Sequence, residues 1–71
     1  MTFAICLNNE GYEVSLELRK IYQVLPAEGN DPKDYVRIID ESGEDYLYDK
    51  KCFEIVELPQ RTERKLIATL R

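Results

Sequence analysis

The chain has 71 residues, 44% of them apolar, a formal net charge of −4, two cysteines and no histidine. That length admits one domain with one small core, and the apolar share excludes a chain disordered throughout. Charge is uneven: residues 1–60 hold 6 Lys/Arg against 13 Asp/Glu (net −7), and residues 61–71 hold 4 against 1 (net +3). An acidic body disfavours a phosphate backbone, whose binding rests on neutralisation by cations.

Residues 1–7 lack a basic residue and their apolar run stops at Asn8, unlike a signal peptide, and no segment approaches the length of a membrane span. The expected location is the cytoplasm, with no membrane contact. Residues 3–7 read as a strand, and Asn8-Asn9-Glu10-Gly11 as the turn that ends it. Residues 13–18 alternate polar and apolar, the period of a strand with one buried face, and residues 21–25 extend again after a bend at Arg19-Lys20. Residues 26–34, with two prolines and a glycine, read as a loop.

Residues 35–48 give the strongest local signal, two β-rich runs around an acidic turn. Asp40-Glu41-Ser42-Gly43 suits a type I turn followed by a left-handed glycine, which makes a three-residue hairpin loop. Val36 and Ile38 share one face of the first strand; Tyr35, Arg37 and Ile39 share the other. Residues 53–58 form a last strand-like run closed by Pro59. In residues 62–70, Leu66, Ile67 and Leu70 fall on one helical face and Thr62 suits the cap. Such a helix is marginal alone, so it packs on its own body, frays, or docks on a partner. The expected organisation is one domain, residues 1–59 as its β-body and residues 60–71 as its helix or tail.

The chemistry-bearing residues argue against an enzyme. Cys6 and Cys52 lack the spacing of a metal or redox pair and read as small buried hydrophobes. No histidine stands by to activate a nucleophile. The carboxylate pairs Asp40-Glu41 and Glu44-Asp45 sit on a hairpin tip, where the expected state is solvated, with little reason for a pKa shift. That segment is also too short for a Ca²⁺ loop. No cofactor and no metal are expected. Of the five tyrosines, Tyr46 and Tyr48 share a face opposite Leu47; one or both fill the core, or they form a recognition patch.

Residues 14–25, then Tyr35-Val36-Arg37 through Ser42-Gly43-Glu44, then Leu47-Tyr48 and Phe53-Glu54-Ile55-Val56, resemble the strands and turns of the Src-homology-3 (SH3) domain. The resemblance implies a mainly β chain, a small five-stranded SH3-like barrel with a short C-terminal helix. Gly11-Tyr12-Glu13, residues 15–20 and residues 39–48 also resemble small bacterial proteins of unknown function. In the SH3 family, proline-rich ligands lie in an aromatic groove. Tyr35 stands at a groove tryptophan, but Asp49 stands at the groove proline and Cys52 at a groove tyrosine, so proline-rich binding is not implied.

The expected function is a non-catalytic protein-interaction module or accessory subunit, a monomer or weak homodimer, with Tyr35, Leu47 and Cys52 as partner-binding candidates. The alternative is a small-barrel nucleic-acid binder that uses aromatics for stacking and Arg61, Arg64, Lys65 and Arg71 for phosphates.

Overall fold

The computed structural model describes residues 1–70. Five strands form, β1 (Thr2–Cys6), β2 (Ile21–Leu25), β3 (Tyr35–Ile39), β4 (Asp45–Asp49) and β5 (Phe53–Val56), followed by one helix, α1 (Gln60–Ala68). A single 3-10 turn, Lys50–Cys52, joins β4 to β5. Prolines bound the extended runs: Pro26 follows β2, and Pro59, with no amide to give a ladder, stands between β5 and α1.

The strands make one antiparallel sheet in the order β4-β3-β2-β1-β5. Its outer strands, β4 and β5, have one neighbour each, so the sheet is not closed. β2 serves two partners unequally. It pairs with β1 from Ile21 opposite Ile5 to Val24 opposite Thr2, but meets β3 only at Val24 opposite Ile38 and Leu25 opposite Arg37.

Strand alternation sorts side chains onto two faces. Cys6, Tyr22, Ile38 and Tyr48 form the core on one face, with Val24, Val36 and Phe53 packed against them. Tyr48 is buried while Tyr46 is exposed, so of that pair one residue fills the core. Both cysteines are buried and free. The second face carries Phe3, which is also buried. Helix α1 lies on that side: Glu63, Leu66 and Ile67 are half-buried, Glu63 borders Phe3 and Val56, and Leu70 borders Ile21, Gln23 and Ile39. The half-buried side of the helix thus faces its own sheet, tied at Glu63 by a 3.5 Å ion pair to the Met1 amine, and none of its residues is fully buried. The helix starts at Gln60, two residues before Thr62, with Pro59 in the cap position and no side-chain cap bond; Arg71 lies outside the described residues.

The β3–β4 hairpin has the expected turn. The Gly43 amide donates to Asp40 O at 3.0 Å, the Asp40 amide donates to Glu44 O at 3.1 Å, and Gly43 sits at φ +83°. The expectation of a solvated tip fails at its first residue. Asp40 is buried, and its carboxylate accepts from the Ser42 amide (2.9 Å), the Ser42 hydroxyl (2.6 Å) and the Tyr48 hydroxyl (2.6 Å). Burial pulls the Asp40 carboxyl up, but these bonds outweigh it and hold the group below the usual carboxylate value.

Residues 13–18 are turns and not a strand. The Ser15 and Leu16 amides both donate to Tyr12 O (2.9 and 2.8 Å), which winds one helical turn, and Arg19 at φ +64° ends the segment. The polar–apolar alternation is real, but it serves one plug: Leu16 is buried in the core while Val14 and Leu18 face solvent. Tertiary bonds overrode the local period.

Leu16→Ala is expected to cost about 2–5 kcal/mol, about half of the roughly 4–10 kcal/mol available to a domain of this length; a urea melt checks it. Asp40 and Glu41 both have lowered native pKa values, so their contribution is complete above the unfolded carboxylate range and is lost as pH falls through the native values. Wild type is therefore expected to lose more stability between about pH 6 and about pH 2 than Asp40→Asn does. Urea midpoints at both pH values give the comparison.

Candidate functional site

The sheet's second face carries Tyr35, Arg37, Leu47 and Asp49 together, because Tyr35 opposes Asp49 and Arg37 opposes Leu47 in the β3–β4 ladder. Tyr35 and Leu47 are thereby diagonal neighbours, within reach for large side chains. Cys52 does not join them. It is buried on the 3-10 turn, and its carbonyl accepts from the Leu7 and Asn8 amides at 2.8 and 3.3 Å. A side chain that the core encloses offers a partner almost no surface, so Cys52 is corrected from binding candidate to packing residue.

Tyr35 opens onto a groove of about 450 Å³ between the ends of β2 and β3 and the loop over residues 26–34. Val24, Leu25, Ala27, Pro32 and Val36 give it apolar walls, and Lys33 and Lys50 stand among its polar lining. Tyr35 is 43% exposed, so its ring is available to cover a ligand. Two backbone bonds fix its position: the Tyr35 amide donates to Pro32 O at 3.1 Å and the Lys50 amide to Asp34 O at 2.9 Å.

Arg37 holds the wall. Its guanidinium donates from Nη2 and Nε to the two oxygens of Asp31 (2.7 and 3.1 Å) and from Nη1 to Asp45 (2.8 Å), with Glu28 at 3.6 Å. This fork ties the loop over residues 26–34 to β3 and β4 at once, a geometry a lysine cannot copy. The bond to Arg37 holds the Asp31 carboxyl below its ordinary value, and the Asp31 and Asp45 bonds push the guanidinium above its own. Lys33 and Lys50 make no ion pair among the described residues and are the groove's exposed cations.

Sequence reasoning missed the roles of Arg37, Asp31 and Pro32. The signal was a charged residue inside the apolar run Tyr-Val-Arg-Ile-Ile, with Asp31 upstream and Asp45 on the facing strand. An arginine on a strand that is otherwise apolar needs partners, and only pairing across the ladder and the loop names them.

The thiols offer little chemistry. Burial pushes both Cys6 and Cys52 up from the ordinary thiol value, which disfavours the reactive thiolate. Among the described residues no group of three or more His, Cys, Asp or Glu is placed to hold a metal ion, and no helix is long and apolar enough to cross a membrane. Compared with protein-family models, curated proteins and solved structures, the chain matches none. The groove's own geometry carries the functional reading.

Arg37→Lys keeps the charge and loses the fork. Amide exchange across residues 28–34 is expected to rise several-fold in this variant while the β1–β2 amides stay protected. Equal protection in the two proteins would mean that the fork does not hold the loop.

Proposed function

We propose that the chain is a non-catalytic protein-interaction module of the SH3-like barrel type, and that it takes an extended segment of a protein partner into the groove beside Tyr35. The carrying observation is a half-exposed Tyr35 over an apolar groove whose loop wall is fixed by the Arg37 fork. A fixed wall lowers the ordering cost of binding, and tyrosine supplies large contact area at low entropic cost. Tyr35 and the apolar walls at Val24, Leu25, Ala27, Pro32 and Val36 provide the apolar contact, with Leu47 beside Tyr35 outside the groove, and Lys33 and Lys50 favour a segment with an acidic group beside its apolar side chain.

The strand order supports the SH3-like reading. β2 is shared between β1 and β3, and a 3-10 turn precedes the last strand. The absence of histidine and the raised pKa values of both thiols support a binding role over catalysis. Two unbridged cysteines fit a reducing compartment, the cytoplasm.

A second reading, nucleic-acid binding, is favoured by one observation: Arg61, Arg64 and Lys65 are exposed on α1. Net −7 over residues 1–60 leaves it second.

Peptides selected from a display library on the protein provide the probe. Titrated into isotopically labelled protein, the best binder is expected to shift residues 24–27, 31–37 and 50. Tyr35→Ala is expected to weaken it by about tenfold or more. Shifts confined elsewhere, or no loss in Tyr35→Ala, would sink the groove reading. Steeply salt-dependent binding to single-stranded DNA or RNA would favour the second reading instead.

A further inference from the structure

The turn over residues 12–16 is fixed on both sides of Leu16. The Asn9 side chain donates to Leu16 O at 2.9 Å, the Glu41 amide to Ser15 O at 3.0 Å, and the Glu17 amide to the Tyr22 hydroxyl at 2.7 Å. With Leu16 driven inward, its neighbours Val14 and Leu18 are held outward, Val14 at 94% exposure. Apolar side chains pinned in water by backbone bonds can be covered with little further ordering cost. Glu13 and Glu17 share a surface with them, both exposed and without an ion pair among the described residues, with Arg19 as the one cation on that surface.

The complementary surface stands on the same chain. Because Glu63, Leu66 and Ile67 face the sheet, Arg61, Arg64, Lys65 and Ala68 share the outward face of α1 at helical spacing. All four are exposed, and the three cations make no ion pair among the described residues.

We infer that a second copy of this chain is the occupant: the outward face of α1 in one copy docks on the surface over residues 10–18 of another. Arg61, Arg64 and Lys65 meet Glu13 and Glu17, and Val14 and Leu18 pack on Ala68 and the aliphatic stems of the cations. The patches differ, so the contact runs head to tail. A pair of copies keeps one unused patch of each kind, one on each copy, and association continues past a dimer unless a ring closes. Most of the attraction is between exposed charges, so the contact is weak and screened by salt. It leaves the groove beside Tyr35 open, and its failure does not touch the groove reading.

Sedimentation velocity over a concentration series, at about 20 mM and about 500 mM salt, tests this. The average mass is expected to rise with concentration at low salt and to stay at the 8.4 kDa monomer at high salt. Glu13→Lys/Glu17→Lys and Arg64→Glu/Lys65→Glu are each expected to lower the association constant by about tenfold or more. A mixture of the two associates again, because each supplies the patch the other needs. Glu54→Lys/Glu57→Lys makes the same charge change away from the patch and is expected to leave association within about twofold. Val14→Ser, which alters no charge, weakens it at an unchanged melting temperature. A monomer at every concentration in low salt overturns the inference. So does an association that survives either charge reversal, or one that the Glu54/Glu57 control weakens equally.

Discussion

The rest of the structure depends on how the segment between β1 and β2 is pinned over the core. It has no strand or helix of its own, yet its Leu16 is among the largest fully buried side chains. Two tyrosine–carboxylate bonds hold the neighbourhood. The Tyr48 hydroxyl donates to Asp40 at 2.6 Å, while the Tyr22 hydroxyl donates to Glu41 and accepts from the Glu17 amide. Lys20 adds a 2.7 Å ion pair to the same Glu41. A loop without regular structure can close a core only when its polar groups find partners inside the fold. Among the described residues no buried side-chain nitrogen or oxygen lacks one.

Aromatic packing and these hydrogen bonds act on the same residues. Tyr48 meets Tyr12 edge-on at 5.1 Å and Phe53 at 6.1 Å while its hydroxyl is held by Asp40. Tyr22 meets Phe53 edge-on at 6.2 Å while its hydroxyl bridges to Glu41 and Glu17. Burial together with the Asp40 bond pushes the Tyr48 phenol up to about 12. A tyrosine with its ring in the core and its hydroxyl at a carboxylate links the core to the loops. A chain with no tryptophan and a small core gains most from that double use. The Arg37 fork does the equivalent work on the other face, where it fixes the loop that walls the groove.

Much of this was legible in the chain. The boundaries of β2, the turn at Asp40-Glu41-Ser42-Gly43 and the loop over residues 26–34 follow from local chemistry: β-branched runs, prolines, and a glycine free to take positive φ. The two faces of β3, Val36 and Ile38 on one and Tyr35, Arg37 and Ile39 on the other, were legible because strand parity sets the face. Cys52 was misread. Its place on the 3-10 turn, facing the core, depends on how that turn packs against β1, and no local pattern records this. Residues 13–18 were misread for a related reason, since their period fits a strand as well as it fits an anchored turn.

By itself, then, the sequence determined a mainly β chain of five strands with a C-terminal helix and an acidic body with a basic end. It also marked a hairpin whose turn admits little choice. These are properties of neighbours in sequence, where dihedral preference and side-chain alternation act directly. Tertiary structure alone decided that Leu16 plugs the core, that Asp40 is buried, that Arg37 clamps the groove wall, and that Val14 and Leu18 are left in water. Each of those depends on pairing residues far apart along the chain. The free energy of such a pair exists only once the sheet has brought its members together.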